Sequence, residues 1–235
     1  MIKYNELENL KTLFNKCNLN LNKVILKSFT EGIKTIKKFR EDTFVKIKMY
    51  KEDTYVIFFY DSAFCFYQKF NFGSDIILRD ISKICSLEKS SVRKIILDHN
   101  FQESNQNLHL DKKYFEEKNI KKIDYKYIKE IASARIEEIA NITFKRNKNL
   151  NNFQFKKTNL YLDLEDKNIG KKFKDIFENF FKEFVLNFDN FKDDDPYASV
   201  EIFGELLSKG WAKEAIPVIN KKKSWIARVF SGLFE

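Results

Sequence analysis

The sequence predicts an α/β fold with a mixed β-sheet. Segments of helical periodicity alternate along the chain with short runs of β-branched and aromatic residues, a pattern typical of a sheet covered by helices. Two β-type runs flank an Asp61-Ser62 turn, which indicates an antiparallel hairpin. The chain has 235 residues, of which 43% are hydrophobic, so it can bury a sizeable core.

The first half of the chain predicts helices on either side of a short strand, followed by the hairpin. Apolar residues at helical spacing indicate an amphipathic helix over residues 5–17. The pattern then predicts a strand at 24–26, a helix at 28–38, and β-runs at 44–47, 55–60 and 64–67. The run at 55–60 is apolar throughout, so we expect both of its faces to be covered.

The second half is mainly helical. Asp75 is a suitable N-cap for a helix that continues to Ile84, and Ser90 or Ser91 begins the next helix. Residues 101–122 show little pattern. The remaining predicted elements are helices at 125–143, 169–186 and 197–209 and a strand at 160–162.

The last fifteen residues begin with three lysines and continue with an apolar stripe at helical spacing. At 100° per residue, six apolar side chains fall on one side of a helix that three lysines precede. We expect residues 224–235 to form an amphipathic membrane-targeting helix after a flexible linker at 211–223. The membrane-binding residues would be Lys221, Lys222, Lys223, Trp225, Ile226, Arg228, Val229, Phe230, Leu233 and Phe234. A terminal helix docked on the protein's own core is the alternative.

The composition favours a reducing compartment and no metal centre. Cys17, Cys65 and Cys85 are odd in number and show no C-x-x-C spacing, and His99 and His109 lie apart. No apolar run approaches the length of a membrane span. We therefore expect a cytoplasmic protein, peripheral on the inner face of the cell membrane, without a disulfide framework.

No combination of residues indicates catalysis. A cation site at Asp163, Glu165 and Asp166 is conceivable, but a solvated loop explains these carboxylates better. The net charge of +9 and the basic runs at 145–148, 156–157 and 171–172 are compatible with nucleic acid. A basic nucleic-acid-binding protein is therefore one alternative function. Because no recognition signature accompanies these lysines, we expect no nucleic-acid partner.

Four segments occur in a characteristic order ahead of the amphipathic tail. They are the helix, strand and helix of residues 5–40, Phe70-Asn71-Phe72-Gly73-Ser74-Asp75 with Arg79-Asp80-Ile81, the helix Ile128–Ile139, and Asp195-Pro196-Tyr197-Ala198-Ser199. Together with the tail they resemble the bacterial cell-division protein FtsA, an actin-like ATPase. The resemblance covers most of residues 5–235 but only the carboxyl-terminal half of an FtsA. It implies an actin-like (ribonuclease H-like) second lobe over 1–210, with an inserted partner-binding subdomain at about 98–152 and a C-terminal amphipathic helix. The implied partners are an FtsZ-like division protein and an anionic membrane surface, and self-association stays open.

The departures from FtsA fall on its nucleotide loops. The stretch that corresponds to its first glycine-rich hairpin, residues 47–54, contains no glycine, and residues 161–166 replace its second glycine loop. Side chains prevent the close backbone approach that a phosphate loop needs. Ile96 stands where a polar ribose contact is expected. We therefore expect no cofactor, no ATPase activity and a non-catalytic tether. The pilus-assembly protein PilM, which shares the fold, is the alternative scaffold.

Overall fold

The computed structural model describes residues 4–99, 109–115, 122–150, 158–182, 184–188, 196–209 and 216–217. The chain divides into two compact units. The sheet unit comprises residues 34–194, and the terminal unit comprises residues 1–33 together with 195–235. The membrane-binding residues predicted at 221–234 lie outside the described residues, as does most of the predicted linker.

The elements alternate between helix and strand as the sequence predicts. In chain order they are α1 (Tyr4–Lys16), β1 (Lys23–Val24), α2 (Lys27–Phe39), β2 (Phe44–Met49), β3 (Thr54–Tyr60), β4 (Ala63–Phe70), α3 (Asp75–Cys85), α4 (Lys89–Asp98), α5 (Tyr125–Ala140), β5 (Asn159–Leu164), α6 (Lys167–Lys172), α7 (Lys174–Phe180), β6 (Val185–Phe188), α8 (Pro196–Ser208) and β7 (Ile216–Pro217). A 3₁₀ turn covers Lys112–Tyr114, and a π-helical turn, Asn141–Lys145, extends α5.

Five strands form the sheet of the sheet unit in the order β4-β3-β2-β5-β6. β2, β3 and β4 form an antiparallel meander, and β5 and β6 run parallel to β2. Five of the seven residues of β3 are buried, in agreement with the prediction that both of its faces are covered. This mixed sheet confirms the predicted fold class.

One continuous core lies between the sheet and the helices α3, α4, α5 and α7. It contains alternate residues of the strands, such as Val45 and Ile47 of β2, and the inward stripes of the helices, such as Ile81 and Ile136. These positions follow the periods of 2 and 3.6 residues from which the elements were predicted. α5 contributes seven buried residues, so it is a core helix of the sheet unit.

The terminal unit contains α1, α8 and a two-residue ribbon. β1 and β7 pair antiparallel, with Lys23 opposite Pro217 and Val24 opposite Ile216. The ribbon therefore joins segments from the two ends of the sequence. In α1, no residue from Asn5 to Lys16 is buried, although its apolar side chains share one side of the helix.

Two sequence predictions are wrong in detail. The single helix predicted over 169–186 is two short helices, α6 and α7, followed by strand β6, and Phe173 at the junction leaves helical geometry with ψ of 15°. Phe173 and Phe177 are fully buried, so packing against the core overrides the continuous helical pattern. The cap of α3 is Ser74, one residue before the predicted Asp75.

Among the described helices, none combines the length and the hydropathy required to cross a bilayer.

Candidate functional site

The two segments predicted to stand in place of glycine loops meet at one end of the sheet. β2 and β5 are parallel neighbours, and Met49 lies opposite Leu164 at their carboxyl ends. The β2–β3 turn at residues 50–53 and the Glu165-Asp166 dipeptide therefore extend from the same edge. In α/β sheets this edge, beyond the carboxyl ends of parallel strands, is where ligands bind.

The Glu165 carboxylate bonds to the backbone of the β2–β3 turn. The Lys51 amide donates a hydrogen bond to Glu165 Oε2 at 2.9 Å, although 114 residues separate the two in sequence. In return, the Glu165 amide donates to the Met49 carbonyl at 2.9 Å. A backbone N–H of the turn is thus used by an anionic side chain of the protein itself.

Gly73 holds the Phe70–Asp75 motif against the same turn. The Ser74 amide donates to the Tyr50 carbonyl and the Asp75 amide to the Lys51 carbonyl, both at 2.9 Å. A Cβ at Gly73 would lie 2.2 Å from the Tyr50 carbonyl oxygen, so no other residue fits without backbone movement. The glycine of this motif is therefore required for close approach of two backbone segments.

Helix α4 closes the other side of the site through ion pairs. Arg93 Nη2 lies 2.5 Å from Asp166 Oδ2, and the Asp166 side chain is only 8% exposed. Asp166 also accepts a hydrogen bond from the Ile169 amide and so caps α6. Lys89 of α4 pairs with Asp75. The charges of these groups are balanced within the protein.

An open cleft of about 510 Å³ remains between the turn, α3 and α4. Lys51, Glu52, Asp75, Lys89 and Arg93 give it charges of both signs. Ile96, which stands at the predicted ribose position, has no exposed surface and cannot reach a ligand there.

The candidate cation ligands do not form a cluster. Asp163 is a buried residue within β5, whereas Glu165 is exposed and Asp166 is paired with Arg93. Among the described residues, no group of three His, Cys, Asp or Glu side chains is arranged to hold a metal ion.

Two of the motifs that resemble FtsA are in direct contact. Asp80, from the Arg79-Asp80-Ile81 motif of α3, accepts a hydrogen bond from Arg135 Nε in the Ile128–Ile139 motif of α5. Arg135 also pairs with Glu138 one turn further along α5, as its sequence position suggests. The contact between α3 and α5 was not predicted, because the two residues are 55 positions apart.

A polar network at the end of α4 was also missed by sequence reasoning. Tyr114 donates its hydroxyl hydrogen to Asp98 Oδ2 at 2.7 Å, and the Tyr125 hydroxyl bonds to His99 Nε2. Lys172 Nζ donates to the His99 carbonyl at 2.8 Å. Burial lowers the pKa of His99, and it raises the pKa of both tyrosines. The network ties segments 109–115 and 125–140 to α4.

The described part of the predicted partner surface at 98–152 includes a shallow groove of about 250 Å³. It is lined by Lys126, Lys129, Glu130 and Ser133 of α5 and by Ile176, Asn179 and Phe180 of α7, so its α7 wall lies outside the predicted range. Of the basic runs weighed as a nucleic-acid surface, residues 156–157 lie outside the described residues.

No protein-family model matches the chain, and no curated protein matches it by sequence. Solved structures do match it. MreB 5 of Spiroplasma citri bound to AMPPNP is 11% identical with a TM-score of 0.59, and the ADP-bound form is 11% identical with a TM-score of 0.52. Each match covers 90% of this chain and 68% of MreB 5. The ethanolamine utilization protein EutJ from Carboxydothermus hydrogenoformans is 9% identical with a TM-score of 0.44, and the match covers 68% of this chain and 46% of EutJ.

Because the identities are only about one residue in ten, the structural matches to MreB 5 show the fold alone. The chain spans about two thirds of the length of MreB 5 and less than half of that of EutJ. The mixed sheet and the matches to MreB 5 agree with the fold predicted from the sequence. The chain has an actin-like α/β fold.

Proposed function

We propose that this protein is an FtsA-like adaptor that works without nucleotide and links a division-associated partner to the cytoplasmic face of the membrane. The observation that carries the proposal is the bond between the Lys51 amide and the Glu165 carboxylate. In FtsA, which the chain resembles, a glycine-rich hairpin at this position presents backbone N–H groups to nucleotide phosphates.

The proposed loss of nucleotide binding follows from charge and space. A phosphate placed at the β2–β3 turn would have to displace the Glu165 carboxylate from the Lys51 amide. The phosphate and this carboxylate would repel each other, and the side chains of the turn hinder close approach of a ligand to its backbone. An actin-like domain with such a site is suited to a scaffolding role.

Membrane attachment in the proposal depends on the sequence of the tail. The stripe that includes Trp225, Phe230 and Phe234 presents large apolar side chains on one side of a helix, and Lys221–Lys223 precede it. Such a segment inserts its apolar side into the headgroup region and is attracted to anionic lipid. One short helix binds weakly, so assembly of several copies would strengthen attachment.

The groove between α5 and α7 supports the partner part of the proposal. Ile176 and Phe180 offer contacts for an aliphatic or aromatic anchor, and the two lysines against the single Glu130 leave a net positive lining that suits an acidic peptide. The carboxyl-terminal peptide of an FtsZ-type protein is the partner that the resemblance implies.

A recruitment assay tests the proposed function. Labelled FtsZ-type protein is mixed with anionic vesicles and this chain in the absence of nucleotide, and vesicle-bound label is counted. The proposal predicts recruitment that requires the chain and is unchanged by Mg-ATP. Lys126→Glu with Lys129→Glu should reduce recruitment while leaving the chain on the vesicles. Recruitment that appears only with ATP contradicts the proposal.

A further inference from the structure

Helix α1 presents an apolar stripe that the described residues do not bury. Leu7, Leu10 and Phe14 lie on one side of the helix with Leu13 beside them, yet Leu10 is 37% and Leu13 is 60% exposed. An isolated helix of 13 residues is marginal in water, and most of its stability must come from packing of its apolar side. A partner for this stripe is therefore expected.

The β1–β7 ribbon holds Pro217, the last described residue, beside Lys23, which six residues separate from α1. Because Lys23 lies opposite Pro217 in an antiparallel pair, the chain beyond Pro217 leaves the ribbon on the side from which the chain of α1 arrives. Six residues, 17–22, connect α1 to β1, and six residues, 218–223, connect β7 to the start of the predicted tail helix. Connections of equal length therefore allow a helix over 224–234 to lie beside α1.

The dimensions of the two helices also agree. At 1.5 Å per residue, α1 is about 20 Å long, and a helix over residues 224–234 is about 17 Å long. Either six-residue connection spans up to about 20 Å when extended. The tail helix can therefore lie antiparallel to α1 along most of its length, with both apolar stripes removed from water.

We propose that the apolar stripe of α1 is the docking surface for residues 224–234 of the same chain. While the tail is docked it cannot bind the membrane, so α1 and lipid compete for the same amphipathic segment. The competition with lipid rests on the proposed function, whereas the docking does not.

Two other occupants fit the stripe less well. A second copy must compete with a tail that the ribbon holds close by, where a short tether gives an effective concentration of about millimolar. Lipid is disfavoured because Glu6 and Glu8 accompany the stripe and offset Lys11 and Lys16, so α1 lacks the cationic excess that anionic membranes attract.

The first test uses tail fluorescence in the full chain without lipid. Trp211→Phe leaves Trp225 as the single tryptophan. Leu10→Glu with Leu13→Glu should shift the Trp225 emission to the red, as expected when its ring enters water. Asn5→Glu with Thr12→Glu adds the same charge on the opposite side of α1 and should leave the emission unchanged. An emission that is insensitive to the leucine substitutions overturns the proposal.

A disulfide test does not depend on the folding of the leucine variant. Cys17 is exposed at the end of α1, and Cys65 is exposed on β4. In a Ser224→Cys variant, mild oxidation should form an intramolecular bond to Cys17 and leave Cys65 reduced. Random pairing, or pairing between copies, overturns the proposal.

Vesicle binding separates the occupants. If the docked state is about nine-tenths populated, the leucine variant should bind anionic vesicles about tenfold more tightly than the parent chain. If the leucine variant binds vesicles more weakly than the parent chain, α1 itself contacts lipid. If the leucine variant has a lower mass in sedimentation than the parent chain, a second copy covers the stripe. Both results contradict docking. If the chain never binds vesicles while the fluorescence and disulfide results hold, docking stands and the membrane function is wrong.

Discussion

The Lys51 amide and the Glu165 carboxylate, 2.9 Å apart, join the β2–β3 turn to the segment that follows β5. The bond is exposed to solvent, so we do not assign it a large stabilising energy. The bond matters for ligand binding. The Lys51 amide, a donor that an anionic ligand could use, already donates to the Glu165 carboxylate of the chain itself.

Nucleotide should not stabilise the protein. A ligand that binds only the native state at 100 times its Kd raises the free energy of unfolding by about 2.7 kcal/mol. We expect no change in Tm with millimolar Mg-ATP or Mg-ADP, measured by differential scanning calorimetry. A rise in Tm that grows with nucleotide concentration contradicts this expectation.

Gly73→Ala should destabilise the sheet unit. The added Cβ would meet the carbonyl oxygens of Tyr50 and Lys51, which belong to backbone and cannot rotate away. We expect a loss of about 2–3 kcal/mol in the free energy of unfolding, measured by urea denaturation. Gly204→Ala is the matched control, since a Cβ at Gly204 in α8 meets nothing within 4 Å and should stabilise that helix by about 0.5–1 kcal/mol. Equal effects of the two substitutions would show that close approach at Gly73 is unimportant.

The contact between Arg135 and Asp80 should contribute to the packing of α5 on α3. Both side chains are largely buried, with exposures of 25% and 21%. A double-mutant cycle with Arg135→Gln and Asp80→Asn should give a coupling energy of about 1 kcal/mol. Glu138→Gln, at a position that is 53% exposed, should change stability by less than about 0.5 kcal/mol. A coupling energy near zero would mean that the contact is incidental.

Stability should fall below neutral pH because of His99. Burial lowers its pKa in the folded state, so the unfolded chain binds a proton more readily at mildly acidic pH. The free energy of unfolding therefore decreases as the pH falls through the ordinary histidine pKa toward the lowered one, and it is unaffected above pH 8. His99→Gln should flatten this dependence between pH 8 and the lowered pKa. Denaturation curves of both proteins that decline in parallel would exclude His99 as the cause.

The sequence was sufficient for the elements with strong periodicity. The helix around Ile128 and Ile136 and the hairpin about Asp61-Ser62 were predicted because each pattern is local and unambiguous. The single helix predicted over 169–186 was wrong. Its many phenylalanines are compatible with one long helix, and they are equally compatible with two short helices followed by a strand. Only packing of Phe173 and Phe177 in the core decides between these.

The candidate site was predictable only in part. The absence of glycine at 47–54 is visible in the sequence. It drew attention to residues 47–54 and 161–166, the two segments that the structure brings together. The pairings of Glu165 with Lys51 and of Arg93 with Asp166 were not predictable, because each joins residues more than 70 positions apart. Such contacts depend on the parallel arrangement of β2 and β5, which no local pattern specifies.

Sedimentation with anionic vesicles tests the central claim, a nucleotide-independent membrane adaptor, most directly. The full chain and a Trp225→Glu, Phe230→Glu variant are spun with vesicles containing about one third anionic lipid, at low and high salt, without nucleotide. We expect the full chain to pellet, less so at high salt, and the variant to stay in solution while its sheet unit melts at an unchanged temperature. If the full chain never pellets and the variant lowers the melting temperature of the sheet unit, the stripe belongs to the protein core and the membrane function is wrong.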